Sequence, residues 1–257
     1  MSSVLSSIIE GVLEDVAERK RSTPHFKQEL ASAGPVLDAY SALTRDSIAL
    51  IAEVKRSSPS KGPLAAIADP VALAVDYQDS GASVVSVLTE RRRFGGSIAD
   101  LVAIRKEVQI PILRKDFIVT EYQIEETRAI GADLLLLIVA GLSQTQLVDF
   151  HQMANELGLH VLVEVHDHEE IERAMAISPR IIGVNARNLK TLEISDTAFR
   201  ELIPLIPSEI TRVAESGISE RAQVVEVENL GARAILVGET LVKARNTREG
   251  IERLLGM

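Results

Sequence analysis

The chain has no cysteine and no tryptophan, aromatic residues make up only 3% of its 257 residues, and basic side chains are outnumbered by acidic ones. Without cysteine, disulfides and thiolate chemistry are excluded, although the absence does not settle the compartment. With 28 Lys and Arg against 37 Asp and Glu, the net charge is −9, which argues against a broad nucleic-acid or anionic-membrane surface. A local basic pocket for an anionic metabolite remains compatible with that balance. The longest apolar run, LLLLIVAGL from Leu134, is far too short to span a bilayer. The first residues, MSSVLSSIIEGVLEDVAERK, lack a basic leader and carry acids within their apolar pattern, unlike a signal peptide. A cytoplasmic protein is expected. Neither G-x-G-x-x-G nor G-x-x-x-x-G-K-[ST] occurs, so the two common nucleotide fingerprints are missing.

What is present is aliphatic. Hydrophobic residues make up 46%, and with so few aromatics the core has to be built from Ala, Val, Ile and Leu. That is the composition of buried parallel strands and their covering helices. Val4, Leu5, Ile8, Ile9, Val12, Leu13 and Val16 recur at helical spacing, and Pro24 opens a second expected helix that ends near Gly34 and Pro35. Residues 1–47 therefore read as a helical extension. From residue 48 to 257, short apolar runs alternate with amphipathic stretches. The runs are IALIAEVK (48–55), VVSVL (84–88), PILRKD (111–116), LLLLIV (134–139), VLVEV (161–165), IIGVN (181–185), TRVAES (211–216) and AILVG (234–238). Alternating strand and helix predicts a parallel sheet, and eight units is the count that closes a barrel. The expected fold is α/β, a (β/α)8 TIM barrel with an N-terminal helical extension, in one domain. An open doubly wound sheet is the competitor, but it leads one to expect a nucleotide fingerprint after the first strand.

Active sites of such barrels sit where strands finish. Strand 1 ends with Glu53 and Lys55, which share a face because side chains alternate along a strand. Strand 3 ends with Lys115 and Asp116, strand 5 with Glu164, strand 6 with Asn185 and then Arg187, strand 7 with Glu215 and Ser216, and strand 8 with Gly238 and Glu239. Strands 2 and 4 are nearly all apolar and would wall the pocket. Each residue alone has a structural explanation, such as an ion pair, a snorkelling lysine or a capping asparagine. Converging ionisable groups of both signs point instead to a functional cleft. ESGIS (215–219) and VGET (237–240) place Gly217 and Gly238 at strand ends before helices, where backbone N–H groups can hold a phosphate. Ser58, Ser60 and Lys61 could add donors from the first loop. EVHDH (164–168) spaces Glu164, His166 and His168 like metal ligands. Asp167 reads as the N-cap of a following helix, however, which breaks that alignment, and no metal site is expected.

IAEVKRSSPSKG (51–62) closely resembles the signature of the indole-3-glycerol phosphate synthase family. The similarity continues in LTERRRFGGS (88–97), PILRKDFIV (111–119), GADLLLLIVAGL (131–142), LVEVHD (162–167), IGVNARNLKTLE (182–193), AESGIS (214–219) and VGETLV (237–242), over essentially the whole chain. The resemblance implies a (β/α)8 enzyme of tryptophan biosynthesis that needs no metal or organic cofactor. Its substrate would be 1-(2-carboxyphenylamino)-1-deoxyribulose 5-phosphate. It also implies roles. Lys115 resembles the general acid and Glu164 the base. Lys55, paired with Glu53, would hold substrate charge and share proton transfer. Asn185 and Arg187 would position the substrate, and Glu215 would contact a sugar hydroxyl or a catalytic lysine. Ser216 would lie beside a phosphate held by Ser58, Gly217, Gly238 and the backbone near Glu239. Phe94 and Phe117 would pack on the anthranilate ring. A phosphoribosyl isomerase, whose acid–base pair could be Asp or Cys with Asp, fits the two-lysine, two-glutamate rim less well. A non-catalytic binding barrel would require a missing acid or base. The only partner expected is the phosphorylated small molecule, with no nucleic acid and no membrane, and the chain is expected to be a monomer or weak homo-oligomer.

Overall fold

Each apolar run forms a strand: β1 (Ala49–Val54), β2 (Val84–Leu88), β3 (Ile112–Lys115), β4 (Leu134–Ile138), β5 (His160–Val165), β6 (Ile181–Asn185), β7 (Thr211–Glu215) and β8 (Ala234–Val237). The structure is a computed structural model that describes residues 4–189 and 191–257. The strands pair in parallel in the order β1-β8-β7-β6-β5-β4-β3-β2, and β1 is hydrogen-bonded to both β8 and β2, so the sheet closes as a barrel. Helices α4 (Pro70–Asp79), α5 (Ile98–Glu107), α6 (Glu121–Ala129), α7 (Gln144–Glu156), α8 (His168–Met175), α9 (Ala198–Leu202), α10 (Arg221–Asn229) and α12 (Thr247–Leu255) follow the eight strands in turn, with a short α11 (Glu239–Val242) inserted after β8. Among the described residues no helix is long and apolar enough to cross a membrane.

Alternation along the strands sorts their residues into two buried sets. Leu50, Ala52, Val85, Ile112, Leu135, Val163 and Ile182 pack outward against the helices. Ala49, Ile51, Val84, Leu113, Leu134, Leu136, Leu162, Val213, Ala234 and Leu236 fill the lumen. The lumen is therefore packed mostly with apolar side chains up to the last inward position of each strand, with Ser86 of β2 and Thr211 of β7 as buried polar exceptions. At that last position β1, β3, β5, β6 and β7 switch to Glu53, Lys115, Glu164, Asn185 and Glu215.

The extension closes both ends. In α1 (Val4–Ser22) the buried side chains Leu5, Ile8, Val12 and Val16 follow the i, i+3, i+4 pattern, and Leu5 and Ile8 border the mouth of the barrel. Arg91 and Arg92, in the loop after β2, pin the helix through Asp15 at 3.0 and 2.8 Å. The second helix, α2 (Lys27–Ser32), starts later than Pro24: Phe26 is its N-cap, and the Phe26 ring packs on Tyr122 of α6 at 5.0 Å. A third helix, α3 (Ala39–Leu43), was not expected. It has too few residues to show a helical period, and it is nucleated by Asp38, whose carboxylate accepts from the Ser41 N–H at 3.0 Å. It packs its buried Ala39 and Leu43 against the apolar floor of the lumen.

Candidate active site

The switch to polar side chains at the strand ends opens into a cavity of about 360 Å³. All of the residues singled out for chemistry or binding border it: Glu53, Lys55, Ser58, Phe94, Lys115, Phe117, Glu164, Asn185, Arg187, Glu215, Ser216, Gly217, Gly238 and Glu239. Leu88 of β2 and Leu136 and Ile138 of β4 supply the apolar wall expected of those strands. Asp116 departs from expectation. It touches the cavity, but its carboxylate turns to the outer face of β3, accepting from Arg114 at 3.1 Å and Thr89 at 2.5 Å.

The deepest part is a cluster of lysines and carboxylates. Lys55 Nζ lies 2.6 Å from Glu53 Oε2. Lys115 Nζ donates to Glu164 Oε2 at 3.1 Å and lies 3.8 Å from Glu215. Burial opposes the charge on Lys115, but Glu164, Glu215 and Glu53 outweigh it and raise its pKa, so the ammonium is held protonated. Burial likewise works against ionising Glu164. Lys115, His166 and a hydrogen bond from Asn185 overcome it and bring its carboxyl well below the ordinary range. Glu215 goes the other way. Burial, reinforced by the charge of Glu164, pushes it up to about 8, and neither of its oxygens has an aligned hydrogen-bond donor among the described residues. The cluster thus offers a protonated amine, an ionised carboxylate and a neutral carboxyl side by side, the kind of split that separates acid from base.

Two glycines make this crowding possible. A Cβ at Gly183 would collide with the Glu215 carboxylate, and one at Gly238 with that of Glu53. Gly238 stood out as a phosphate-loop residue. Gly183 did not, although glycine inside a strand signals close approach of another group.

The outer part of the cavity is built by loops. A small ribbon, Ser57–Ser58 paired with Gly62–Pro63, carries Lys61 across to Glu239 at 2.7 Å, and Lys243 reaches the same oxygen at 2.7 Å. Arg187 donates to Ser60 Oγ at 3.2 Å and to the Leu192 carbonyl at 2.9 Å, while its own N–H bonds Asn185 Oδ1 at 3.0 Å. Ser216 and Gly217 are successive left-handed residues, with φ of 69° and 81°. Serine rarely adopts that conformation, and such strain concentrates where backbone must face a ligand. Phe94 and Phe117 stand 6.0 Å apart in a tilted pair at the apolar end. Val4, Leu5 and Ile8 of α1, with Leu189, Leu192 and Ile194, add to the apolar lining, and Ile194 lies beside Gly217. Helical spacing marked the α1 residues as buried, but nothing local showed what they would cover. Lys190, within the quoted IGVNARNLKTLE, lies outside the described residues.

His166 and His168 do not converge with Glu164 on one point. Asp167 caps α8 as expected, accepting from the Glu170 N–H at 2.9 Å, and His168 is exposed beside Glu172. His166 instead lies 3.3 Å from Glu164 and 2.9 Å from Glu170.

A family model described as indole-3-glycerol phosphate synthase matches residues 5–254. Proteins named indole-3-glycerol phosphate synthase are similar over nearly the full length. One from Streptomyces coelicolor is 53% identical, covering 98% of this chain and 95% of its own. One from Paenarthrobacter aurescens is 54% identical, covering 97% and 94%. Among solved structures, a chain of the Pyrococcus furiosus tryptophan synthase a2b2 complex superposes with a TM-score of 0.62 at 18% identity, covering 81% of this chain and 98% of that one. A 3-hexulose-6-phosphate synthase superposes at 0.60 with 12% identity, covering 81% and 99%. At such identities these structures speak to the barrel fold alone.

Proposed function

The chain belongs to the indole-3-glycerol phosphate synthase family, and from that premise we propose how its residues carry the reaction. The enzyme is a carboxy-lyase of tryptophan biosynthesis. It converts 1-(2-carboxyphenylamino)-1-deoxyribulose 5-phosphate to indole-3-glycerol phosphate, carbon dioxide and water.

The ring carbon that bears the carboxylate attacks the C2′ carbonyl. Lys115, kept protonated by its carboxylate neighbours, delivers a proton to the carbonyl oxygen as negative charge develops there. Carbon dioxide leaves, and its bonding pair restores the aromatic ring. Dehydration follows: Glu164 takes the C1′ proton while the C2′ hydroxyl departs as water with a proton from the Lys55 ammonium, and the proton on Glu164 together with one from solvent recharges the two lysines. Lys55, oriented by Glu53, holds the substrate's negative charge and shares in proton transfer. Asn185 and Arg187 fix the ribulose chain. Glu215 keeps Lys115 aimed at the cavity. Ser58, Ser216, Gly217, Gly238 and the backbone at Glu239 take the phosphate, with Lys61 and Lys243 at its edge. Phe94 and Phe117 pack on the anthranilate ring.

The single observation that carries this reading is Lys115 Nζ held between Glu164 at 3.1 Å and Glu215 at 3.8 Å in a cavity that has aromatic rings at one end and left-handed backbone at the other. The test is direct. The purified chain mixed with the substrate in metal-free buffer develops indole fluorescence, and no signal at any enzyme concentration sinks the proposal.

We read residues 1–47 as an extension serving a single barrel of residues 48–257, and its use of Leu5 and Ile8 to line the cavity supports this. We also propose a cytoplasmic monomer or weak homo-oligomer that takes no nucleic acid. The net charge of −9 supports the last point. The scatter of exposed Leu13, Val148, Leu205 and Val225 over separate elements supports the monomer or weak oligomer.

A further inference from the structure

His166 is a charged group at the barrel mouth with no part in the steps above. It follows Glu164 by two positions and leaves β5 on the same face, just before α8 begins. Its ring Nδ1 lies 2.9 Å from Glu170 Oε2, and its backbone N–H donates to the same oxygen at 2.8 Å. Asp167 in turn accepts from the Glu170 N–H. The start of the helix therefore fixes Glu170, and Glu170 fixes the imidazole. Nε2 then lies 3.3 Å from Glu164 Oε1, while Lys115 holds Oε2 at 3.1 Å.

We propose that His166 is a positioning residue for Glu164: it stays on Oε1 when Lys115 leaves Oε2 for the substrate, so that the base remains ionised and correctly turned through the step in which acid and base separate. This rests on the reading of Lys115 as acid and Glu164 as base.

The physical need for it is plain. In the resting site acid and base are bound to each other, and neither can act on substrate while that pair persists. Glu164 is only 1% exposed, and a buried carboxylate stripped of its cation is costly. Asn185 offers it a neutral hydrogen bond only. His166 is the second cation within reach. Burial opposes its charge, but Glu164 and Glu170 overcome this and hold its pKa at about 10, so it is charged at neutral pH. Its Nε2 is buried without an aligned hydrogen-bond acceptor among the described residues, which leaves it free to tighten onto Glu164 once Lys115 turns away. The groups facing this pair are Glu170 of α8, Lys115 of β3, Asn185 of β6 and Glu215 of β7. His168 points away, beside Glu172.

The test compares kcat and KM of His166→Gln, Glu170→Gln and Glu164→Gln from about pH 5 to about pH 10. For His166→Gln, kcat falls about tenfold, the scale of one pKa unit, and KM stays within about twofold. Its acidic limb moves to higher pH, because a carboxylate that loses a cationic neighbour is easier to protonate. For Glu170→Gln, His166 keeps one carboxylate instead of two, its pKa falls, and a new alkaline decline in kcat enters the range. Native kcat with an unmoved acidic limb in His166→Gln, alongside an inactive Glu164→Gln, overturns the proposal and leaves the base assignment standing. A fully active Glu164→Gln removes the base itself. Should His166→Gln fail to fold, Glu170→Gln decides, and an unchanged alkaline side overturns the proposal.

Discussion

Arg114 and Lys115 are neighbours on β3, and their side chains leave the strand in opposite directions into two clusters of buried charge. Outside the barrel, Arg114 is 0% exposed and every one of its N–H groups is used: Nε on Thr89, one terminal nitrogen on the Gln123 carbonyl and Thr127, the other on Asp116 and Glu126. Arg19 of α1 adds a two-pronged contact to Glu126 at 2.7 and 3.0 Å, so two guanidiniums face two carboxylates. Inside, Lys115 has one hydrogen bond for three N–H donors among the described residues, and Glu215 has none. The outer cluster is saturated and has nothing left to offer a ligand. The inner one is left with unused donors and acceptors aimed at a cavity. Burying unsatisfied polar groups destabilises a fold, and here the groups left unsatisfied are those the chemistry needs.

The largest expected effect sharpens that contrast. Lys115→Ala lowers kcat per folded molecule by about 10²–10⁴-fold with the barrel still formed. A variant with near-normal kcat would end the assignment of Lys115 as acid. Its neighbour is expected to do the reverse. Arg114→Met leaves Asp116 and Glu126 short of a buried cation and costs about 3–5 kcal/mol of stability. Activity per folded molecule survives, and denaturant unfolding paired with active-site titration separates the two quantities. Gly183→Ala pushes the Glu215 carboxylate out of its place and lowers kcat by about tenfold, a misplacement effect smaller than loss of the acid itself. An unimpaired enzyme would mean that Glu215 has slack the structure does not show.

A pH experiment probes the inner cluster alone. Glu215 titrates at about 8 in the folded protein against an ordinary 4.5. A raised carboxyl pKa contributes stability that is fully present below 4.5 and is lost as pH rises through about 8. Glu215→Gln, which cannot ionise, therefore matches native stability near the lower end of that window and exceeds it increasingly toward the upper end. Melting curves across the window check this, and a constant difference would contradict it. The smallest effect lies at the exposed rim. Lys61→Met breaks the bridge to Glu239, worth about 0–1 kcal/mol, and raises KM a few-fold with kcat unchanged. A drop in kcat instead would bring the rim into the chemistry.

Much of this was legible before folding. Strand positions followed from the apolar runs, and alternation placed Glu53 beside Lys55 on one face. It could also have shown that Lys115 and Asp116, being adjacent, cannot both face inward. Which of the two does so depends on the register of β3 in the closed sheet. The proximity of Glu164 to Lys115 was equally hidden, since β4 separates their strands in the sheet order. Gly183 looked like an ordinary strand glycine until Glu215 came to occupy the space beside it. His166 carried metal-like spacing, and only the packed start of α8 showed its ring turned between two carboxylates.

The eightfold alternation, the mostly apolar filling of the lumen and the set of polar residues at the strand ends are written in the order of the residues, because these are periodic properties of local segments. Which charges meet, which are satisfied and which are left open emerged only when the barrel closed. Those outcomes depend on barrel curvature and on side chains far apart along the chain being forced into one small, dry volume.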